Sequence, residues 1–358
     1  TYDVTYSKVG YYPQTISVNL STGVITNQDV ALVPIPPYNL TVKVREAGTN
    51  NPIIGADIML ECALLTDMNQ SNGLGDRDFT LYYQEPYRVT VGKWGYVTTC
   101  FDQVIDQTTG EITVLLDRGI YDDFTFDFGW TTSNFALTGH WERGIPNGTN
   151  SAGTTSFDVG VDCGESAFVT GNAAGVDSDG DDVDGGEVTL ISPVMDLTGY
   201  ADPQVNYARW FYTQFGPNPP DDSLRVLVSN GSQSVQIDIV GEDVPNFGTW
   251  QYVNLRLQDY ITITSTMQFF FQTSDFDPDI NITEAGIDMF FINEHVVGLD
   301  ELSKAEIEAF PNPTNGSVKL TNIESSEDYK VLNASGQVIL SGTVTPNATE
   351  IELDSVQS

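Results

Sequence analysis

An all-β fold of tandem β-sandwiches is predicted by three observations. Aromatic residues make up 11% of the 358 and Gly numbers 32, while long Ala/Leu/Glu/Lys stretches are absent. Apolar and polar residues alternate over short segments bounded by Gly, Pro, Asn and Thr, the period of half-buried strands with the punctuation of turns. A segment at the N-terminus recurs 85 positions later (Tyr2 against Tyr87), so part of the chain is a repeated unit.

The repeat sets the first boundary. Residues 2–11 read YDVTYSKVGY and residues 87–96 read YRVTVGKWGY. Tyr2, Val4, Thr5, Lys8, Gly10 and Tyr11 match Tyr87, Val89, Thr90, Lys93, Gly95 and Tyr96. Each copy runs through a Thr-Gly turn (Thr22-Gly23, Thr109-Gly110) towards an expected last strand, 29–34 and 112–117. The second copy also has an alternating first strand at 39–46 (NLTVKVRE) and a turn and strand at 52–60 (PIIGADIML). The first copy lacks these parts, so about 50 residues of it are expected upstream, with the chain opening inside a domain.

PIIGADIML followed by YRVTVGKWGY resembles a carboxypeptidase regulatory-like domain, over residues 37–118 with a remnant at 1–35. The resemblance implies a small prealbumin-like β-sandwich serving as a structural spacer beside a catalytic domain. It says almost nothing about activity.

From 122 to 296 short aromatic-rich strands follow one another: FTFDFGW, EVTLISPVMDL, VNYARWFYTQF, SLRVLVSN, WQYVNLRL, MQFFFQTS and AGIDMFFI. Strands of this length and spacing predict a jelly-roll sandwich. Their order, with WERGIPNGT and FVTGN between them, resembles a MAM-like jelly roll of the kind found in the tails of secreted zinc carboxypeptidases from Bacteroidetes. Relatives often carry a second cysteine soon after the equivalent of Cys163; here Ser166 and Ala167 follow, and the local disulfide is not carried over.

Residues 299–309 (LDELSKAEIEA) read as a polar linker. Then come Phe310, Pro311, Asn312, Pro313, Thr314, Asn315 and Gly316. The prolines around Asn312 fix an extended segment that cannot join a regular ladder, and Asn315-Gly316 supplies a turn into VKLTN. Two strands around Ser335-Gly336 and a strand at TEIELDSV follow. This stretch, 310–358, resembles the type A sorting domain of the type IX secretion system, here without the family's last strand pair and basic tail. The resemblance implies export through the outer-membrane translocon and its shuttle barrel, then surface attachment or release.

Composition narrows the partners. Asp and Glu total 50 against 14 Lys and Arg, a formal net charge of -36. Phosphate backbones and anionic lipid demand the opposite sign, so nucleic acid is excluded as a partner. Carboxylate abundance suits calcium, and equally suits a merely soluble surface. No apolar run approaches the ~20 residues needed to span a bilayer.

No catalytic set stands out. The two histidines, His140 and His295, are far apart, and no HxxE, HExxH or GxSxG pattern occurs. The densest acidic cluster is Asp177, Asp179, Asp181, Asp182, Asp184 and Glu187, interleaved with Gly. It does not fit an EF-hand, since Asp182 stands where Gly is required and Val188 where Glu is required. Calcium-binding jelly rolls draw ligands from an early acidic turn and from the last strand. The expectation is that Asp184 and Glu187 share a calcium ion with Glu284 and Asp288; the alternative is a solvated acidic loop. Tyr207, Trp210, Phe211, Tyr212 and Phe215 form an aromatic stripe with both faces apolar, which favours a buried strand over a sugar-stacking platform. Cys62 and Cys100 lie in strand-like segments of one expected domain and are the candidate disulfide, leaving Cys163 as a buried small hydrophobe.

Two functions remain open: the non-catalytic tail of a secreted hydrolase, or a surface adhesin or gliding-related protein whose jelly roll binds a glycan or protein. Both include the sorting domain.

Overall fold

The computed structural model describes residues 1–20, 27–83, 85–148, 155–173, 180–214, 222–241, 249–276, 282–295, 309–310, 314, 316–321, 323, 326–332 and 338–353. It is all-β, as the sequence predicts, and divides into two compact units, Thr1–His295 and Val296–Ser358. Among the described residues no helix is long and apolar enough to cross a membrane.

The first unit opens with a hairpin of β1 (Tyr2–Tyr6) and β2 (Gln14–Val18). The seven strands that follow are β3 (Tyr38–Glu46), β4 (Asp57–Cys62), β5 (Leu65–Gln70), β6 (Asp76–Leu81), β7 (Glu85–Lys93), β8 (Tyr96–Ile105) and β9 (Glu111–Leu116). They form two sheets, β6-β3-β9 and β5-β4-β7-β8. Alternation buries Leu40, Val42 and Val44 of β3 against Ile58 and Leu60 of β4 and Val89 and Val91 of β7. Each such side chain contributes about 1.5–3 kcal/mol by leaving water.

The repeat is visible in the backbone. Gly10 and Gly95 both take positive φ, where a side chain would be strained. Tyr12 N donates to Val33 O as Val97 N does to Asp117 O, and Ile35 N to Gly10 O as Gly119 N does to Gly95 O. The expected strand at 29–34 is nevertheless not a ladder; only Pro34 forms a bridge, with Tyr11. In the second copy β9 is held by parallel pairing with β3, and no described strand offers residues 29–34 such a partner.

The jelly roll contains β10 (Ile120–Asp122), β11 (Thr131–Asn134), β12 (Trp141–Gly144), β13 (Ala167–Thr170), β14 (Gly186–Ile191), β15 (Pro203–Gln214), β16 (Leu224–Ser229), β17 (Ser234–Val240), β18 (Gln251–Arg256), β19 (Gln268–Asp275) and β20 (Ile282–Glu294). One sheet is β12-β13-β20-β15-β18 with β10 also on β20; the other is β11-β14-β19-β16-β17. Between them lies an aromatic core in which Trp130 meets Phe290 edge-on at 5.3 Å and Tyr207 meets Phe271 at 5.2 Å. The stripe on β15 is core on both faces: Tyr207 and Phe211 face the sheet interface, while Trp210 and Tyr212 pack with Ala167, Val169 and Trp250 on the other side. Phe215 lies outside the described residues.

A bulge in β20 sets up the site. Ala208 faces Asp288 and Asn206 faces Phe291, so Met289 and Phe290 together oppose Tyr207, with Met289 at φ 52°. Ala285, Ile287, Phe290 and Ile292 therefore point into the core, while Glu284 and Asp288 lie on the outer face of the six-stranded sheet.

One disulfide joins Cys100 to Cys163, and Cys62 is the free thiol. This corrects the expected Cys62–Cys100 pair. Cys100 faces Thr90 across β7, and its side chain meets the segment after β12, which a reading confined to one expected domain misses. Cys163 is thus no isolated hydrophobe but the tie between the prealbumin-like sandwich and the jelly roll.

The second unit contains β21 (Ala309–Phe310), β22 (Ser317–Leu320), β23 (Glu327–Leu332), β24 (Val338–Val344) and β25 (Glu350–Glu352). Their sheets are β21-β22-β25 and β23-β24, around Ile323, Val344 and Ile351.

Candidate metal centre and sorting segment

Three carboxylates converge on the outer face of the six-stranded sheet: Asp158, Asp162 and Asp288, with one oxygen of each within 4.8 Å of the others. Asp288 comes from the bulge of β20 and is fully buried. It is covered by residues 155–165, which cross the sheet. Val159 N donates to its Oδ2 at 3.1 Å and Met289 N to its Oδ1. Trp250 Nε1 donates to Phe157 O at 3.0 Å and fastens the same segment further along. Two residues after Asp158 and two before Asp162 the chain passes Gly160, and Cys163 then anchors it.

The electrostatics are one-sided. Burial pushes the Asp162 carboxyl up to about 8, with the charges of Asp158 and Asp123 adding to the rise. Burial likewise takes Asp158 to about 6, and it holds Asp288 well above the usual carboxylate range, with Asp162 and Asp158 next in importance. Both Asp162 oxygens and Asp158 Oδ1 are buried without a hydrogen-bond donor. Nearby, Asp123 Oδ2 is also buried without one, and Tyr121 is raised by burial and then by Asp123, Asp162 and Asp288. Arg143 donates to the carbonyls of Phe124 and Thr125 instead. Three carboxylates this close, with Asp162 lacking any donor and no cationic side chain in an ion pair with them among the described residues, could hold a metal ion. Asp122, beside them in sequence, is differently employed: Phe124 N and Trp130 Nε1 donate to it, each at 2.8 Å.

The four ligands expected from the sequence do not meet at one ion. Asp288 is in the triad. Glu284 is on the same face of β20 but four residues away, about 13 Å along the strand, far beyond what ligands at ~2.3–2.6 Å from one ion can bridge. Glu187 belongs to the other sheet, opposite Ser274, and Asp184 precedes it in the turn before β14. Asp177 and Asp179 lie outside the described residues. Sequence reasoning missed Asp158 and Asp162, which sit in FDVGVDC without the density of acids that drew the eye to 177–187. Their signal was the DxxxD spacing immediately before a cysteine. The histidines are separate: His140 Nε2 lies 3.1 Å from Ala136 O, and His295 Nδ1 lies 2.7 Å from Gln204 Oε1.

Of the expected sorting residues, Phe310 pairs with Lys319 in the β21–β22 ladder and is half-exposed. Gly316 N donates to Thr314 Oγ1 at 3.3 Å, and Leu353 N donates to Gly316 O at 2.6 Å, closing β25 onto the turn. Pro311, Asn312, Pro313 and Asn315 lie outside the described residues.

Residues 308–358 match the family model of a secretion system C-terminal sorting domain. A sorting domain of this kind implies type IX secretion across the outer membrane. No curated protein matches the chain. Among solved structures, the K1 cleaved adhesin domain of Lys-gingipain from Porphyromonas gingivalis W83 is 12% identical, over 49% of this chain and 98% of that one, with a TM-score of 0.28. The K3 cleaved adhesin domain of the same protein gives 11%, 49%, 96% and 0.32. A structure described as one of the carbohydrate-binding modules of the β-sandwich superfamily gives 13%, 72%, 98% and 0.30. These are distant likenesses to β-sandwich modules.

Proposed function

We propose that this chain is the non-catalytic C-terminal part of a secreted cell-surface protein, delivered by its sorting domain to the type IX secretion translocon and its outer-membrane shuttle barrel. The sorting-domain match at 308–358 carries the reading. In it, residues 37–118 and 122–296 are accessory modules of an upstream peptidase, and 1–35 ends a preceding copy of the first. Asp158, Asp162 and Asp288 hold calcium, whose preference for carboxylate oxygen suits two buried acids and a half-buried one. Its role is structural: it neutralises the charge between the sheet and the segment 155–165. Export is tested by deleting 308–358 in a host with this secretion system. Retention of the shortened protein inside the outer membrane is expected; unchanged appearance in the medium or on the surface refutes the reading.

A second reading, a surface adhesin, is favoured by one observation. The outer face of β11-β14-β19-β16-β17 carries a groove of about 390 Å³ lined by Ser133, Thr189, Ile191, Leu227, Phe270 and Gln272 among others. Hydroxyl and amide groups beside an aromatic ring suit a glycan or an extended protein segment. Binding of the protein to a polysaccharide and protein panel, lost in Phe270→Ala, would favour this reading. No binding across the panel would leave the peptidase accessory as the sole account.

A further inference from the structure

The groove on the five-stranded sheet opens onto a longer exposed face. With Val188 and Leu190 of β14 and Phe269 and Phe271 of β19 in the core, Glu187, Thr189 and Ile191 point outwards beside Phe270, Gln272 and Ser274. The same alternation, carried past the groove, brings up Phe135 and Leu137 after β11 and Phe276 after β19, which are 77%, 75% and 71% exposed. Phe135 N donates to Glu187 O at 2.8 Å and Leu137 N to Asp184 O at 2.7 Å, and Ala136 between them is buried in the core. A Cβ at Gly185 would stand 2.9 Å from Leu137 Cδ1, and Asp275, next to Phe276, faces Gly186. Single exposed apolar side chains are ordinary; three large ones around one pair of glycines, continuous with a groove, mark an interaction face.

The strand β11 is also the edge of its sheet, and among the described residues no strand pairs with its other side. The backbone groups of Ser133, Phe135 and Leu137 turn to β14, so those of Thr132 and Asn134 turn outwards. Edges are commonly blunted by Lys, Pro or an inward charge; β11 reads TTSN and has none of these. Residues 131–137, 184–191 and 268–276 include Asp184, Glu187 and Asp275 and no Lys, Arg or His. Arg225, opposite Gln272, is on the far side of β19 from this edge. The face is therefore acidic as well as apolar, and the net charge of -36 sets the chain against a second copy of itself.

We propose that this face receives an extended, basic segment of a partner protein, which adds a strand to the free side of β11 and packs its apolar side chains on Phe135 and Leu137. The proposal rests on the surface-adhesin reading and names the partner that reading leaves open. A free row of backbone donors and acceptors matches another backbone and not a sugar. Phe and Leu side chains, with no hydroxyl or amide tip, favour apolar side chains over sugar hydroxyls. Lys or Arg at alternate positions of the segment would be drawn by Glu187 and the acidic turn before β14, and Phe276 widens the apolar floor beyond β14.

The test titrates the full chain by calorimetry with a capped peptide alternating Lys and Val, and with linear xylan as a second probe. The wild type should bind the peptide, less tightly in high salt, and should not bind a peptide alternating Glu and Val. Affinity should fall at least tenfold in the double variant Phe135→Ser, Leu137→Ser, which strips the exposed apolar floor. It should fall as far in Asn134→Pro, which removes an outward N–H and leaves the pairing with β14 intact. Thermal melts verify that the variants are folded. No peptide binding by the wild type, or binding that survives either the double variant or Asn134→Pro, overturns the proposal. If xylan binds instead, is lost in the double variant and ignores Asn134→Pro, the proposal fails while the adhesin reading stands with a glycan as partner. If neither probe binds and the wider polysaccharide and protein panel is also silent, both fail.

Discussion

Removing metal should invert the way stability responds to pH. Asp162 titrates at about 8 and Asp158 at about 6 in the folded, metal-free chain, against about 3.9 for an unfolded Asp. A carboxyl raised by folding contributes stability that is fully present below pH ~4 and is lost as pH rises through the folded value. Asp122, Asp123, Asp182, Glu284 and Asp288 are raised as well, each first by burial. The chelated protein should therefore melt higher at pH 5.5 than at pH 8.5. Calcium needs these groups ionised, so below the Asp162 value its affinity falls about tenfold per pH unit. With calcium at a hundred times its Kd at pH 8.5, binding adds about 2.7 kcal/mol, which is roughly 5–10 °C for a domain of about 150–250 residues. At pH 5.5 protonation of Asp162 alone makes the same calcium's affinity about 300-fold weaker, and Asp158 weakens it further, so binding adds at most about 0.2 kcal/mol, under ~1 °C. Differential scanning calorimetry with EDTA and with calcium at both pH values reads all four numbers. An equal calcium shift at the two pH values, or a chelated protein more stable at pH 8.5, would refute the argument.

Other outcomes follow from single contacts. Cys100→Ser opens a loop of 63 residues, and the chain-entropy term puts the loss at roughly 4 kcal/mol; non-reducing peptide mapping of the wild type should show Cys100 joined to Cys163, with only Cys62 alkylated. Phe271→Ala removes a fully buried ring touching Trp130, Tyr207 and Phe290, and should cost about 3–5 kcal/mol in denaturant melts. Asp238→Ala leaves Arg209, now 2.7 Å from it, and the Tyr207 hydroxyl without their acceptor between the sheets, at a cost of about 3 kcal/mol by the same assay. Gly286→Ala puts a methyl 2.0 Å from Trp210 Nε1, so the indole must move and its fluorescence should shift, with a loss of about 1–3 kcal/mol.

Much of the fold was legible because strand period and turn chemistry are local. The pattern of NLTVKVRE became β3 with Leu40, Val42 and Val44 inward, and the apolar character of both faces of 207–213 marked a strand buried on each side. The repeat fixed the Gly10 and Gly95 turns, but the strand expected at 29–34 depended on a distant partner that local pattern cannot supply. The site was half legible for the same reason. Asp288 stood out because the last strand carries it, yet its true neighbours arrive by a crossing of the sheet by residues 155–165. Nothing in the spacing of Asp158 and Asp162 says which face they will cover. Charge density pointed to 177–187, whereas burial decides where charge matters. The disulfide is not legible locally, because Cys163 reaches across to Cys100 on β8 from outside the domain that holds Cys62 and Cys100.

The segment 155–165 is where these constraints meet, and its tethers are of two kinds. Cys163 fixes one end covalently, and two backbone hydrogen-bonding contacts, Val159 to Asp288 and Trp250 to Phe157, fix the middle. Against them stands the mutual repulsion of Asp158, Asp162 and Asp288, which grows as pH rises and which a bound cation reverses. With calcium in the triad as proposed, disulfide and cation would hold the same piece of chain, and the loss of one should raise the demand on the other. In a double-mutant cycle on Cys100→Ser and Asp162→Asn, melts in calcium at pH 8.5 should give a coupling of about 0.5–3 kcal/mol, the range for residues sharing a structural element. In EDTA, Asp162→Asn removes only repulsion, so the variant should gain stability and the coupling should change sign. Strict additivity in calcium would mean that the segment is held by its packing on Trp250 and the sheet, with neither the disulfide nor the ion acting on it.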